Sequence, residues 1–405
     1  MIPFTYAVGQ GSVDAFLNDI VLQLYWNARG AAAGQFSVPI VSDASSIHTI
    51  LSEPAQFPKN MGLLNVLGDS RFNTNGANWE LRRDITQKAF SAAGARQNTP
   101  RISAIYQAKF AECEATPEGI QRALMSASSL IFFQALECEV NVGPLLNFFD
   151  RARQYVKRLQ YYSWNSPGAS DVMSMRDEGN LLMHDFQTEV SRSPPLTKLT
   201  ELFQSRAGDL EGFDPLDELL MNFFAGIETI AATLSFAIDR LGIDARVRDR
   251  LQAEVGLENS ETYLNCFIQE TMRYFPAIPF VVREVASDIT IDSVPFRAGQ
   301  TVLLSIVGLH HNAQHWSDPD VFNCSRPEFI ANSYDRRAFL PFLSGPRMCG
   351  GAKLAKLELV EGLKAFIQEF NVSRQSDEIG FDYGLALRPR PCAALKITRR
   401  RKQNP

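Results

Sequence analysis

Apolar residues crowd one run of this chain without the polar gaps that a surface helix shows. From Asp214-Pro215 to Leu241 the run keeps helical spacing, with an Asp cap, a Pro at the first helical position and Gly242 as a stop. About 26 residues at about 1.5 Å each reach roughly 40 Å, enough to cross a domain. Being apolar on all sides, the run predicts a buried helix. Narrower stripes predict helices at Asp14–Asn27, at Ala44–Leu51 behind the cap Asp43, and at Gly76–Phe90. Helical spacing continues through residues 100–190, broken near Pro167-Gly168. It returns from Asn259-Ser260 to the residue before Pro276, and from Ala352 to Phe370. Alternation marks strands at Gln35–Val41, across residues 277–305 and at Phe381–Ile397, with Leu385–Leu387 as a hairpin tip. Residues 53–76 carry three Gly and two Pro and read as irregular; a loop of about 20 residues is functional or mobile. The pattern predicts a mainly α fold with small β-sheets, and the whole of residues 1–405 as a single domain.

Two positions break the apolar rule inside the long helix. Ala225-Gly226-Ile227-Glu228-Thr229 puts a carboxyl and a hydroxyl in a region expected to be dry. A buried charge is costly unless it is used or paired. Gly226 weakens the helix and lets a ligand approach the backbone. Thr229 can bond back to a carbonyl and loosen the ladder. An acid beside an alcohol can relay protons. An acid paired with a base from another helix would fit the same residues.

Composition adds exclusions. Net charge is −5 and no basic stripe with interleaved aromatics occurs, so nothing suggests nucleic acid. The one basic run, Arg399-Arg400-Arg401-Lys402, reads as a solvated tail. Six scattered cysteines argue for a reducing compartment and against a disulfide framework. His310, His311 and His315 lack the helical H-E-x-x-H arrangement of a zinc site. The first 29 residues show no signal peptide, and no stretch is read as the roughly 20 apolar residues of a membrane span. These features set the expectation of a soluble, cytoplasmic monomer that engages no membrane.

The sharpest chemical signal lies just before the last helix. Phe342-Leu343-Ser344-Gly345-Pro346-Arg347-Met348-Cys349-Gly350-Gly351 places one cysteine at a helix N-terminus, where a thiolate is favoured over a thiol. An aromatic wall (Phe342), a cation (Arg347) and glycines that admit a flat partner (Gly345, Gly351) surround it. This set suits a haem, with sulfur on the iron and a guanidinium on a propionate. Alone, the loop would also fit a buried structural cysteine.

The segment matches F-x-x-G-x-R-x-C-x-G and resembles the haem-ligand loop of the cytochrome P450 family, of the soluble bacterial type. Ala225-Gly226-Ile227-Glu228-Thr229 resembles that family's oxygen-binding helix. Trp79 and Arg83 match its W-x-x-x-R pair, although a surface Trp–Arg stack would look the same. Glu270-Thr271-Met272-Arg273 matches its E-x-x-R helix, which a later Arg completes; Arg326 is the candidate. The resemblance implies haem b held by Cys349, with Arg83, Arg283, Arg347 and Trp79 on the propionates and Ala225 and Gly226 beside the ring. Glu228 and Thr229 manage protons in a monooxygenase that inserts one oxygen atom of O2 into an apolar, medium-sized molecule. Phe224, Ile278, Phe280, Val281 and Leu385 line the substrate pocket.

No flavin or nicotinamide fingerprint occurs, so electrons come from a ferredoxin-type protein with its reductase, docking near Arg336, Arg337, Lys353 and Lys356. Ile230, Cys324-Ser325 and Asn312 depart from the family's usual residues at secondary contacts. A peroxygenase or redox-neutral enzyme of the same fold would use no such electrons, and the Glu228–Thr229 pair speaks against it. A haem sensor would need no proton relay.

Overall fold

A computed structural model describes residues 13–27, 38–59, 61, 67–96, 99–135, 141–164, 168–191, 214–255, 262–376, 379–392 and 394–400. The molecule is mainly helical and organised around the helix Pro215–Leu241. The Asp214 side chain accepts from the Leu216 N–H at 2.8 Å, and Pro215 occupies the first helical position. Gly242 follows the helix, and what favours glycine there is want of space. Its φ is −67°, an ordinary right-handed value. A Cβ there would lie 3.0 Å from Leu395 Cδ1 and 3.1 Å from Arg374 Cβ. Residues 216–241 are long and apolar enough on average to cross a membrane, contrary to the sequence reading, and 72% of the apolar window is buried inside the protein.

The helices Pro117–Ala135 and Ala352–Glu369 pack against this core helix. An aromatic cluster of Phe132, Phe133, Phe148, Phe149, Phe223 and Phe224 fills one flank, with Phe149 and Phe224 centroids 5.0 Å apart. Rings of this size each bury a large apolar area.

Small sheets lie to one side. Ile40–Val41 runs parallel to Thr301–Ser305, which pairs antiparallel with Phe280–Glu284 and sets Arg283 opposite Val302. Residues 35–37 of the expected first strand lie outside the described residues. Phe381–Tyr383 and Leu387–Pro389 form a hairpin whose tip carries Leu385. Asp43 caps Ala44–Ser52 by accepting from Ser45 N–H at 3.0 Å and Ser46 N–H at 2.9 Å.

Glu270 joins two guanidiniums in the interior. Arg273 donates to its carboxylate at 2.8 and 2.9 Å, and Arg326 at 2.7 and 2.9 Å. All three residues are at most 1% exposed. The remaining guanidinium N–H groups reach backbone carbonyls of His310, Pro319, Val321 and Ser317, so helix Thr262–Tyr274 is fastened to the irregular segment before Pro327.

Arg399 and Arg400, the first two residues of the C-terminal basic run, make contacts that the expected solvated tail would not; Arg401 and Lys402 lie outside the described residues. Arg399 Nη2 donates to the Phe110, Ala111 and Cys113 carbonyls at 2.9, 3.0 and 2.6 Å. Those are orphan acceptors at the end of Thr99–Glu112, where a cation also meets the negative helix pole. Arg400 donates to the Phe370 carbonyl and to Gln252.

Candidate haem-binding site

The cysteine loop is shaped by main-chain contacts. Cys349 N–H donates to the Phe342 carbonyl at 2.9 Å and Met348 N–H to Gly345 O at 3.1 Å. Gly345 has φ +73°, and a Cβ there would sit 2.3 Å from Leu51 O, so only glycine fits. Leu343 pays for the tight path with φ +58°. Cys349 is an exposed residue of the loop, although protein packs around its thiol. That enclosure pushes the thiol up, against the Gly351 N–H and the Arg71 charge, which both pull it down. Coordination to a metal would favour the thiolate. Phe342 is half-buried against the core, with Lys356 Nζ 5.5 Å from its centroid, and Gly351 caps Ala352–Glu369 in an exposed position.

The central helix opens at one place. Ala225 is exposed and Gly226 and Thr229 are half-buried, between neighbours that are buried. Thr229 Oγ1 donates to the Ala225 carbonyl at 3.0 Å, and Thr233 Oγ1 to the Thr229 carbonyl at 2.8 Å. A Cβ on Gly226 would meet Phe132 at an ordinary 3.5 Å, so the protein's own atoms do not demand glycine there.

Glu228 is 3% exposed, and neither carboxyl oxygen has a hydrogen-bond partner among the described residues. Burial raises its pKa to about 8; Arg153 and Lys157 pull it down, Asp382 and Asp150 push it up. At neutral pH this carboxyl is largely protonated and can donate. It is not locked in the interhelical ion pair that sequence left open.

Trp79 is 4% exposed and meets two guanidiniums: Arg347 with Cζ 4.1 Å from a ring centroid and Arg83 at 4.8 Å. Arg347 Nη2 donates to Thr74 O at 2.8 Å and Asn75 Oδ1 at 2.9 Å, while its Nε and Nη1 are buried without a partner. Arg283, 4% exposed, has one hydrogen bond among the described residues, Nη1 to the Val282 carbonyl at 2.8 Å. Burial lowers both arginines to about 10, and Arg283 and Arg71 add to the effect on Arg347. Arg83 also pairs with Asp84 at 2.9 Å, both side chains being partly exposed.

Two cations that sequence reasoning did not select stand closer in. Lys59 sits in the irregular loop with its ammonium on the Phe72 carbonyl at 2.8 Å. Arg71 Nη1 donates to Thr86 and Gln87 at 3.0 and 3.1 Å, and both its terminal nitrogens lie 3.2 Å from where a Gly350 Cβ would be. Nothing in local spacing marks a lysine or arginine in such a loop. The signal is spatial.

The expected pocket residues divide. Phe224 packs in the core at 2% exposure, which corrects its placement on a pocket wall. Phe280 is also buried, with its ring 5.4 Å from Tyr383. Ile278, Val281 and Leu385 are half-buried, and Leu385 rests on the aromatic cluster.

Cations without counter-ions among the described residues, an exposed cysteine and an opened stretch of apolar helix together fit haem. Its two carboxylates would satisfy the guanidiniums and its apolar ring would lie against the exposed helix positions.

Comparison with known proteins agrees. The family model described as cytochrome P450 matches residues 204–392. Cytochrome P450 4X1 of Rattus norvegicus is 35% identical over 191 residues, 42% of this chain and 37% of that protein. Cytochrome P450 4V2 of the same organism is 28% identical over 235 residues, 54% of this chain and 45% of that protein. Probable cytochrome P450 6d4 of Drosophila melanogaster is 29% identical over 195 residues, 44% and 38%. The matched region thus spans less than half the length of these relatives. A solved structure, a zebra fish cytochrome P450 with progesterone, shares the fold with TM-score 0.74 at 22% identity, covering 94% of this chain and 99% of that one.

Proposed function

We propose that the chain is a member of the cytochrome P450 family, whose cofactor is haem with an axial cysteine thiolate, and that it is a monooxygenase acting on an apolar, medium-sized substrate. The observation that carries the reading is the pairing of an exposed Cys349 with buried cations that lack counter-anions among the described residues. Bound there, haem supplies the redox chemistry of dioxygen activation, and thiolate ligation favours O–O cleavage. Cys349 would be the ligand; Arg347 and Arg283 would hold the carboxylates, and Trp79 would back Arg347.

The chain's own groups manage protons. Glu228 carries a proton at neutral pH, and the Thr229 hydroxyl stands one residue away at the opened turn. With its hydrogen on Ala225 O, Thr229 Oγ1 keeps lone pairs free to accept. Thr229→Ala removes that relay point. It is expected to cut product formed per electron pair by about 10², the lower range for positioned proton transfer, with peroxide released instead. Unchanged coupling in paired oxygen, peroxide and product assays would overturn the role.

Electrons are proposed to come from an acidic ferredoxin-type protein. Lys353, Lys356 and Arg336 are exposed beside the cysteine loop, and Met348, 51% exposed, offers an apolar contact among them. Arg337 is partly spent on Asp335 at 3.0 Å. Reversing Lys353 and Lys356 to Glu should slow reduction about tenfold at low salt and flatten its salt dependence, because steering fields act on the encounter rate. Stopped-flow reduction that keeps its wild-type rate and salt slope would sink this docking surface.

A further inference from the structure

The hairpin that carries Leu385 is fastened to a neighbouring helix more firmly than a turn requires. Helix Val142–Trp164 sends two side chains to it, Lys157 and Gln160, spaced i, i+3 and so on one face. The buried Lys157 ammonium donates to both carboxylate oxygens of Asp382 in strand Phe381–Tyr383, at 2.7 and 2.9 Å, and to Asp14 Oδ1 at 2.9 Å. Arg388, opposite Asp382 across the hairpin, pairs with the same carboxylate at 3.1 Å. The Tyr383 N–H donates to Asn18 Oδ1 at 2.9 Å. Gln160 Nε2 donates to the Gly384 carbonyl at 2.8 Å. Three successive residues, Asp382 to Gly384, are therefore each held from outside the hairpin.

The Lys157 stem also sets how near the tip comes. A Cβ on Gly384 would lie 2.8 Å from Lys157 Cε and 2.9 Å from Cγ, closer than carbon atoms approach. Lys157 cannot step aside while two carboxylates share its ammonium, so glycine is what lets helix and tip meet. Leu385, the next residue, rests on the aromatic cluster, and Tyr162, two positions after Gln160, packs on the same cluster. Helix and tip thus present one continuous apolar wall.

Resting on the reading that Leu385 faces the substrate, we propose that Gln160 and Lys157 are specificity-determining positioning residues: they tie the hairpin tip to helix Val142–Trp164, so that Leu385 is carried by that helix and limits the length of apolar molecule the pocket accepts. Neither touches the substrate. Gln160 is the tether and the Lys157 stem is the stop, and both act through the position of Leu385.

The test uses the haem-loaded protein and 1-alkylimidazoles with butyl to dodecyl tails, whose ring nitrogen binds iron while the tail fills the pocket. Dissociation constants come from difference spectra and need no electron donor. Gln160→Leu removes the donor with little change in volume. It should improve dodecyl binding relative to butyl binding about fivefold, the equivalent of one net hydrogen bond. Gly384→Ala drives the tip off the Lys157 stem and should shift the ratio the same way. Leu385→Ala should shift it too, and should add little when Gln160→Leu is already present, because the two changes act on one wall. A wild-type ratio in both Gln160→Leu and Gly384→Ala, or Gln160 and Leu385 effects that simply add, overturns the tether. A wild-type ratio in Leu385→Ala overturns the placement of Leu385 on the pocket and the proposal with it, and a protein without haem overturns the cofactor reading. Both results differ from a pocket that senses Leu385 and ignores Gln160.

Discussion

Cys349→Ser is expected to abolish the thiolate signature of the reduced carbon monoxide complex and to reduce product formation to background. The loop should survive the change. Its shape comes from Cys349 N–H on the Phe342 carbonyl and from Gly345 against Leu51, neither of which involves the sulfur. What is lost is the donor. A serine hydroxyl stays protonated where a thiol gives up its proton to a metal, so the electron donation that favours O–O cleavage disappears. Changing a buried thiol, Cys324→Ser, should leave the spectrum alone, since that residue lies in the Tyr263–Phe267 core. A Cys349→Ser protein with an unaltered thiolate spectrum would remove the basis of the functional assignment.

Glu270→Gln is expected to be the most damaging structural change, and more damaging than Arg326→Met. The network holds two cations and one anion with almost no water. Taking away Arg326 leaves Glu270 and Arg273 as a neutral pair, with two backbone carbonyls stripped of a donor. Taking away the Glu270 charge leaves two guanidiniums facing one amide and weakens the bond from Asn323 N–H at 2.8 Å. Breaking a buried pair costs about 3–5 kcal/mol, and here two pairs share the anion. The expected readout is a collapse in haem-loaded yield and a lowered thermal midpoint for Glu270→Gln, with Arg326→Met intermediate. The reverse order would mean that the carbonyl bonds, not charge balance, dominate the network.

How much of this was legible beforehand depended on whether the signal was local. The central helix was placed to the residue because its start is a cap and a proline, and its end a glycine. The Glu270–Arg273 spacing was equally plain, whereas Arg326, 53 positions after Arg273, was reachable only through family resemblance. The contacts of Lys59 and Asn75 were missed because they arise when an irregular loop folds over a helix start, and no periodicity encodes that. Phe224 was placed on the wrong surface because a helix buried on all sides gives no stripe to say which face meets solvent or ligand. The Arg399 reading failed for another reason: a charged run looks solvated until the orphan carbonyls of a distant helix end come beside it.

Gly345 has an implication beyond the loop it bends. Because the limit on its position is the carbonyl of Leu51, the height of the sulfur is gauged against main chain, whose atoms are the same whatever residue stands there. Neighbouring side chains can then be exchanged to suit new molecules in the pocket while the metal's attachment point holds its place. The binding chemistry and the substrate preference are, in that sense, separately adjustable parts of one chain.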